Sequence, residues 1–344
     1  MKTITVGRTG LKVSRNAFGA LPIQRTAQDE AVRIFKRAFD GGVNFYDTAR
    51  MYTDSEAKIG AAFSGLRGQV ILATKTRGLT PEAIFKDLET SLKDLKTDYI
   101  DIYQLHWAAK AYRPGDGSGL YEAMLEARDQ GKIRFIGITA HGADVALDAA
   151  ASGLYDTVQY PLNYLSSDRE LGLIELARTN NVGVLGMKVL SGGLLANNPA
   201  ACFAFIHQFG NVLPLWGIQT MEQLEQFLAL EADPPALSPE MQAVIAKDRA
   251  ELDKAFCRGC GYCLPCPVDI PINDVARISL TLGRMRWEDF TTPDWQKKVA
   301  KSADCIHCGV CAKRCPYGLD TPKLVEENWE FYQRFVKEKG VSVL

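Results

Sequence analysis

Eight of the nine cysteines of this chain fall between residues 257 and 315, in two runs with regular gaps. The first is Cys257-x2-Cys260-x2-Cys263-x2-Cys266-Pro267 and the second Cys305-x2-Cys308-x2-Cys311-x3-Cys315-Pro316. Thiolates at every third position can wrap one set of irons, and a fourth, carried past a proline turn, can reach a neighbouring set. The spacing therefore predicts two [4Fe-4S] clusters. Before Cys266 the first run is one residue shorter than the second before Cys315. Zinc favours two separated CxxC pairs per ion, and the third cysteine in each run speaks against it. Disulfides belong to oxidising compartments. Cys202, alone in an apolar stretch, reads as a small buried hydrophobe.

A second constellation lies far upstream. Asp47 follows Asn44-Phe45-Tyr46, Lys75 follows Val70-Ile71-Leu72-Ala73-Thr74, and His106 follows Ile102-Tyr103-Gln104-Leu105. Tyr52 stands five residues after Asp47. A phenol is a weak acid, with an unperturbed pKa of about 10. A neighbouring ammonium stabilises its phenolate, and a carboxylate behind the ammonium keeps that cation charged and pointed. Asp47, Lys75 and Tyr52 can supply these parts. An imidazole beside the phenol, His106, can orient a carbonyl oxygen where an alkoxide would develop during hydride addition.

Such residues must be brought together by the elements that carry them. Over the first 232 residues a short apolar run, a polar loop and an amphipathic stretch recur eight times. The strand candidates are Ala17–Ala20, Asn44–Asp47, Val70–Lys75, Ile100–His106, Phe135–Thr139, Thr157–Pro161, Gly183–Lys188 and Val212–Gly217. Helices are predicted over Gln28–Asp40, Glu56–Phe63, Pro81–Leu95 and Tyr121–Gln130, among others, from apolar residues three and four apart. This alternation predicts an α/β fold, a (β/α)8 TIM barrel, whose active site lies at the C-terminal ends of the strands. A doubly wound open sheet is the alternative, but no G-x-G-x-x-G follows the first strand. Thr3–Val6 and Leu11–Ser14 predict an N-terminal β-hairpin cap at the bottom of the barrel. Asp233-Pro234-Pro235 opens a linker, and a helix over Pro239–Ala255 leads to the cysteines. The expected domains are a barrel over 1–232, a linker and helix over 233–255, and a mostly α-helical ferredoxin-like domain over 256–344. Short helices are expected between the cysteine runs, and Leu324–Lys339 as a closing helix.

The segment Asn44-Phe45-Tyr46-Asp47-Thr48-Ala49-Arg50-Met51-Tyr52, with Ser55-Glu56 and Gly60, resembles the Asp-to-Tyr motif of the aldo-keto reductases. Ala73-Thr74-Lys75 resembles their lysine strand and Leu105-His106 their histidine strand, and the similarity extends over residues 1–230. The cysteine tail resembles the branch of that family with a C-terminal ferredoxin-like domain. By the ferredoxin crossing rule, Cys257, Cys260, Cys263 and Cys315 hold one cluster, and Cys266, Cys305, Cys308 and Cys311 the other. The resemblance implies NAD(P)H bound across the barrel mouth, and hydride exchange with an aldehyde or ketone, or the corresponding alcohol. It assigns nucleotide contacts to Thr139, His141, Gln159, Asn163, Met187, Lys188, Gly217 and Thr220. Two positions depart from the family: Thr139-Ala140-His141 stands where Ser-Asn holds the nicotinamide amide, and Met187-Lys188 where an aromatic stacks on it. No Lys or Arg occurs in Gly217–Glu225, while Glu222 and Glu225 do, so NADH is mildly favoured over NADPH. In the fourth-strand loop, Trp107, Tyr112 and Arg113 are candidates to line the substrate pocket.

The 344 residues carry 40 Lys+Arg against 41 Asp+Glu and are 47% hydrophobic, which suits a large core. No basic run or membrane-length apolar stretch occurs, so neither a nucleic-acid partner nor a membrane span is expected. Met1–Arg8 reads as a strand entering a turn instead of a leader, and the expected location is cytoplasmic. Clusters move single electrons, whereas a nicotinamide gives two with a proton, and no flavin signature is present. Three readings follow: an enzyme whose clusters exchange electrons with a ferredoxin or flavoprotein, an enzyme with structural clusters, or an electron-transfer or scaffold subunit whose barrel does not turn over.

Overall fold

The computed structural model describes residues 1–252 and 256–341. Ten strands are described: β1 Thr3–Thr5, β2 Lys12–Ser14, β3 Ala17–Gly19, β4 Phe45–Asp47, β5 Ile71–Thr76, β6 Ile100–Leu105, β7 Ile133–Thr139, β8 Thr157–Pro161, β9 Gly183–Met187 and β10 Val212–Gly217. β1 and β2 form the hairpin. The other eight close a parallel barrel in the order β10-β3-β4-β5-β6-β7-β8-β9. The α-helices that alternate with them are α1 Gln28–Asp40, α2 Ser55–Ala62, α3 Pro81–Leu95, α4 Leu120–Asp129, α5 Ala143–Ala151, α6 Asp168–Thr179, α7 Pro199–Ile206 and α8 Met221–Ala232. This is the eight-stranded barrel that the strand-helix alternation predicts.

Strand parity decides which residues meet inside. Side chains two apart share a face, and paired residues of neighbouring parallel strands point the same way. The register pairs Asp47 with Ala73, Lys75 with Gln104, Gln104 with Gly137, and Thr139 with Gln159. One inward face thus runs from Asp47 through Lys75, Gln104 and Thr139 to Gln159. Below it the same parity brings Ala17, Phe45, Ala73, Ile102, Leu185, Leu213 and Leu215 into one apolar cluster with Val6, Leu11 and Val13 of the hairpin segment. The hairpin segment therefore plugs the end opposite the mouth. A slip of one residue in β5 would turn Lys75 out and Thr74 in.

The outward parity packs on the helices. α1 buries Ala31, Ile34, Phe35 and Ala38, three and four residues apart. Phe35 sits 4.9 Å from Phe18 and 5.8 Å from Tyr46, centroid to centroid. Burying each of these rings is worth about 1.5–3 kcal/mol. The strands carrying His106 and Lys188 end one residue earlier than hydrophobicity suggests. Trp107, the residue after His106, and Lys188 itself take left-handed conformations, with φ of 55° and 56°. Non-glycine residues held there cost about 1–3 kcal/mol and concentrate at functional sites.

Two compact units divide the chain: residues 1–189 with 203–237, and residues 190–202 with 238–344. In the second, α9 covers Pro239–Leu252, and the last three residues expected in this helix lie outside the described residues. There follow α10 Ile272–Val275, α11 Ile278–Arg284, α12 Pro293–Ala300, α13 Val310–Lys313 and α14 Thr321–Glu338. α14 starts three residues before its apolar periodicity, because Asp320 accepts from the Lys323 N–H and Pro322 suits a first turn. Val275, Ile278, Val299, Val325, Tyr332 and Val336 form this unit's core.

Candidate active site and cysteine cavities

Lys75 is fully buried and its ammonium donates to both Asp47 carboxylate oxygens, at 2.8 and 2.7 Å, and to the Thr48 carbonyl at 2.6 Å. The Asp47 carboxylate also accepts from Gln104 Nε2 and Gln159 Nε2, each at 3.3 Å. Gln104 Nε2 donates to Gln159 Oε1 at 2.8 Å, and Thr139 Oγ1 donates to Gln104 Oε1 at 3.2 Å. A polar layer of five side chains therefore closes on itself beneath the mouth. Gly137 completes it from the backbone side, since a Cβ there would come within 2.8 Å of Gln104 Cγ.

Tyr52 and His106 lie above this layer. The Lys75 ammonium is 5.4 Å from the Tyr52 ring, and the Tyr52 and His106 rings meet edge to face at 5.8 Å. His106 packs on Trp107 at 5.6 Å, and the Arg77 guanidinium covers the other ring at 4.3 Å. The buried Nδ1 of His106 has no hydrogen-bond partner among the described residues.

Burial, reinforced by the negative charge of Asp47, pushes the Tyr52 phenol well above its ordinary range. The sequence-based picture, in which Lys75 lowers it, leaves out burial, the larger cause, and the direct effect of the Asp47 charge on the phenol. Burial also raises Asp47 and lowers Lys75, each opposed by the other. His106 is held far below 6.5 by burial and then by Lys75 and Arg77, and His141 by burial and then by Lys188 and His106. His207, outside this site, is lowered to about 4 by burial and by Arg15 and Lys2.

These imidazoles stay neutral in the fold, while in the unfolded chain they take up protons near pH 6.5. The unfolded state therefore binds more protons, and stability falls as pH drops below 6.5. Each fully neutral imidazole contributes a slope of about 1.4 kcal/mol per pH unit. Urea midpoints should decline steeply between pH 7 and pH 5.5, and a flat profile would show that His106 and His141 titrate normally.

The expected nucleotide contacts do not all stand alike. Thr139 and Gln159 belong to the polar layer. His141 and Asn163 are buried, and Asn163 Nδ2 donates to the Lys188 carbonyl at 3.0 Å. Met187 and Lys188 are half-buried, and Gly217 is exposed. Thr220 caps α8 in a reciprocal box with Gln223. Glu225 is gripped by Arg37 of α1 at 2.7 and 2.9 Å, a cation that local sequence does not reveal. Arg113 pairs with Asp148 at 2.5 Å, and the Tyr112 carbonyl accepts from the Tyr155 hydroxyl at 2.7 Å. Sequence reasoning missed Gln104 and Arg77; an amide inside the apolar run of β6 was the available signal for Gln104.

In the second unit Cys257, Cys260, Cys263 and Cys315 line one pocket. Cys266, Cys305, Cys308 and Cys311 line another, and Cys263 borders both. Burial, with Cys257 and Cys260 adding to it, pushes the Cys263 thiol up to about 12. Among the described residues no three His, Cys, Asp or Glu side chains converge on a point where a single ion would sit. Four thiols spaced around a cavity suit a multi-iron group better than one zinc, which needs sulfurs at about 2.3 Å.

Among the described residues no helix is long and apolar enough to cross a membrane. The aldo/keto reductase family profile matches residues 15–203, and a 4Fe-4S dicluster domain profile matches residues 256–320. Over 209 residues the chain is 33% identical to an L-galactose dehydrogenase of Arabidopsis thaliana, covering 55% of this chain and 66% of that protein. Over 225 residues it is 30% identical to an NADH-specific methylglyoxal reductase of Escherichia coli, covering 57% and 69%. The chain thus spans about two-thirds of the length of these curated relatives. An aldo-keto reductase from Bacillus halodurans in its holo form shares the fold with a TM-score of 0.63 at 23% identity, over 72% of this chain and 96% of that one. With the family profile spanning more than half of its length, the chain belongs to the aldo/keto reductase family of oxidoreductases and carries a 4Fe-4S dicluster domain at its C-terminus.

Proposed function

We propose that the barrel reduces a small aldehyde or ketone with NAD(P)H as the hydride donor, or oxidises the corresponding alcohol with NAD(P)+ as the hydride acceptor. The observation that carries this reading is the meeting of Tyr52 and His106 above the buried Lys75–Asp47 pair. The nucleotide, when bound, supplies a hydride to the carbonyl carbon. Tyr52, kept protonated by burial and Asp47, gives the carbonyl oxygen its proton, so carbonyl, hydride and proton balance as alcohol. Neutral His106 has one ring N–H to donate to the carbonyl oxygen. Lys75, fixed by Asp47 and the Thr48 carbonyl, restrains the charge beneath the phenol.

His141, Asn163, Met187 and Lys188 would hold the nicotinamide half, with Gln159 keeping one free N–H for the amide. Gly217 and Thr220 would meet the adenosine end. The Thr220–Gln223 box and Glu222 in the first turn of α8 support NADH over NADPH, although Arg37 neutralises Glu225. In the tail, two [4Fe-4S] clusters would be held by the cysteine sets that line the two cavities. They connect the chain to a one-electron partner, a ferredoxin or flavoprotein.

An anaerobic titration with NADH and NADPH, followed by cluster absorbance and paramagnetic resonance and then by turnover with short aldehydes, tests this. The expected result is aldehyde-dependent oxidation of NADH with a lower KM than for NADPH. Cluster reduction by the nucleotide would show that the two centres exchange electrons. If no carbonyl is reduced while a chemical reductant still reduces the clusters, the barrel is not a reductase and the chain reads as an electron carrier.

A further inference from the structure

The second unit buries a cation that makes no direct ion pair with a carboxylate among the described residues. Arg277 precedes α11 and is 9% exposed. Its Nη2 donates to the Gly192 carbonyl at 3.2 Å. Its guanidinium lies on Gly259, between Cys257 and Cys260, where a Cβ would fall 2.6 Å from Nη1. A φ of +62° favours glycine at position 259, and its N–H points at Cys257 Sγ at 3.4 Å. Asp274, whose charge acts on Arg277, is itself held by Lys298 at 2.5 Å. Cys257 is the other group whose charge acts on Arg277, and Arg277 in turn favours the Cys257 thiolate against the effect of burial.

A guanidinium does not give up its proton in a protein, and a buried charge is costly unless an opposite charge faces it. A [4Fe-4S] centre with four thiolates is such a charge, and it gains one more negative unit on reduction. Net charge and hydrogen bonds at the sulfurs are levers on its potential. We propose that Arg277 is the counter-charge of the cluster held by Cys257, Cys260, Cys263 and Cys315, and that it raises that cluster's reduction potential. The inference rests on the two-cluster reading above. The step is one electron in, with no proton taken up, because Arg277 is charged in both states. Among the described residues that line the other cavity there is no Lys or Arg, and Cys308 there is exposed.

The test is an anaerobic potentiometric titration of the full chain, followed by paramagnetic resonance, for wild type, Arg277→Gln and Arg277→Lys. Iron and sulfide analysis of the wild type comes first; a content far from roughly eight irons per chain sinks the two-cluster reading itself. With both clusters present, Arg277→Gln should lower the potential of one cluster only. At the point where that cluster is half reduced in the wild type, the variant should have a reduced-to-oxidised ratio of at most about one to ten, a shift of about 59 mV or more for one electron. Arg277→Lys should restore most of it, and the wild-type potential should not vary between pH 6 and pH 9. If both potentials in Arg277→Gln match the wild type, the proposal is overturned. If Arg277→Gln loses half its iron, Arg277→Lys decides. Full iron and wild-type potentials there support the charge role, and equal loss there overturns it in favour of packing.

Discussion

Phenylalanine in place of Tyr52 is expected to lower kcat/KM for carbonyl reduction by about 10²–10⁴-fold, the usual contribution of a positioned proton donor. The substitution removes one oxygen and keeps the ring that packs on His106. Nucleotide affinity and iron content should therefore hold. The loss should fall on kcat, because the proton is needed when charge develops on oxygen and not when substrate binds. In the resting site, burial and Asp47 keep the phenol protonated, so carbonyl reduction should persist well above pH 7 in the wild type. A Tyr52→Phe enzyme with wild-type kcat would remove the phenol from the mechanism and leave His106 as the only donor.

The second large effect concerns stability. Asp47→Ala leaves the Lys75 ammonium fully buried with the Thr48 carbonyl as its remaining acceptor. It also strips Gln104 Nε2 and Gln159 Nε2 of a carboxylate that both now reach. Breaking one partner of a buried pair costs about 3–5 kcal/mol, since an unanswered charge stays behind. Asp47→Ala combined with Lys75→Met should recover part of that loss, because neither charge then remains. Denaturant unfolding of the single and double variants measures the difference. A single-variant cost below about 1 kcal/mol would mean that Lys75 sheds its proton easily, contrary to its role as a fixed cation. Activity should be lost in both variants, so stability and catalysis are separable readouts of the same pair.

The barrel was legible because its signal is repetitive. Each of the eight strand candidates has an observed strand at its position, and helices Gln28–Asp40 and Pro81–Leu95 match to the residue. Errors gather at ends, where local sequence competes with geometry. β6 and β9 stop before His106 and Lys188 because the chain leaves the barrel through left-handed residues, a conformation that hydrophobicity does not encode. α14 starts early because a cap outranks periodicity. Arg113, a candidate for the mouth, pairs with Asp148, 35 residues along the chain, a partner that local sequence does not reveal.

Residue types and spacing alone determined the chemistry that this chain can carry. Four thiols at fixed gaps, twice, imply iron, and an acid, a lysine and a histidine at successive strand ends imply a shared mouth. Those inferences hold because ligation and strand periodicity are local properties of the chain. Only the tertiary structure decided which groups control one another. Gln104 and Gln159 bind Asp47 because barrel register stacks residues 57 and 112 positions away on one inward face. Burial and then the charge of Asp47 hold the Tyr52 phenol up, and Arg277 reaches the Cys257 loop from a neighbouring helix start. Charges act through space, and the distances that weigh them do not exist until the chain has closed.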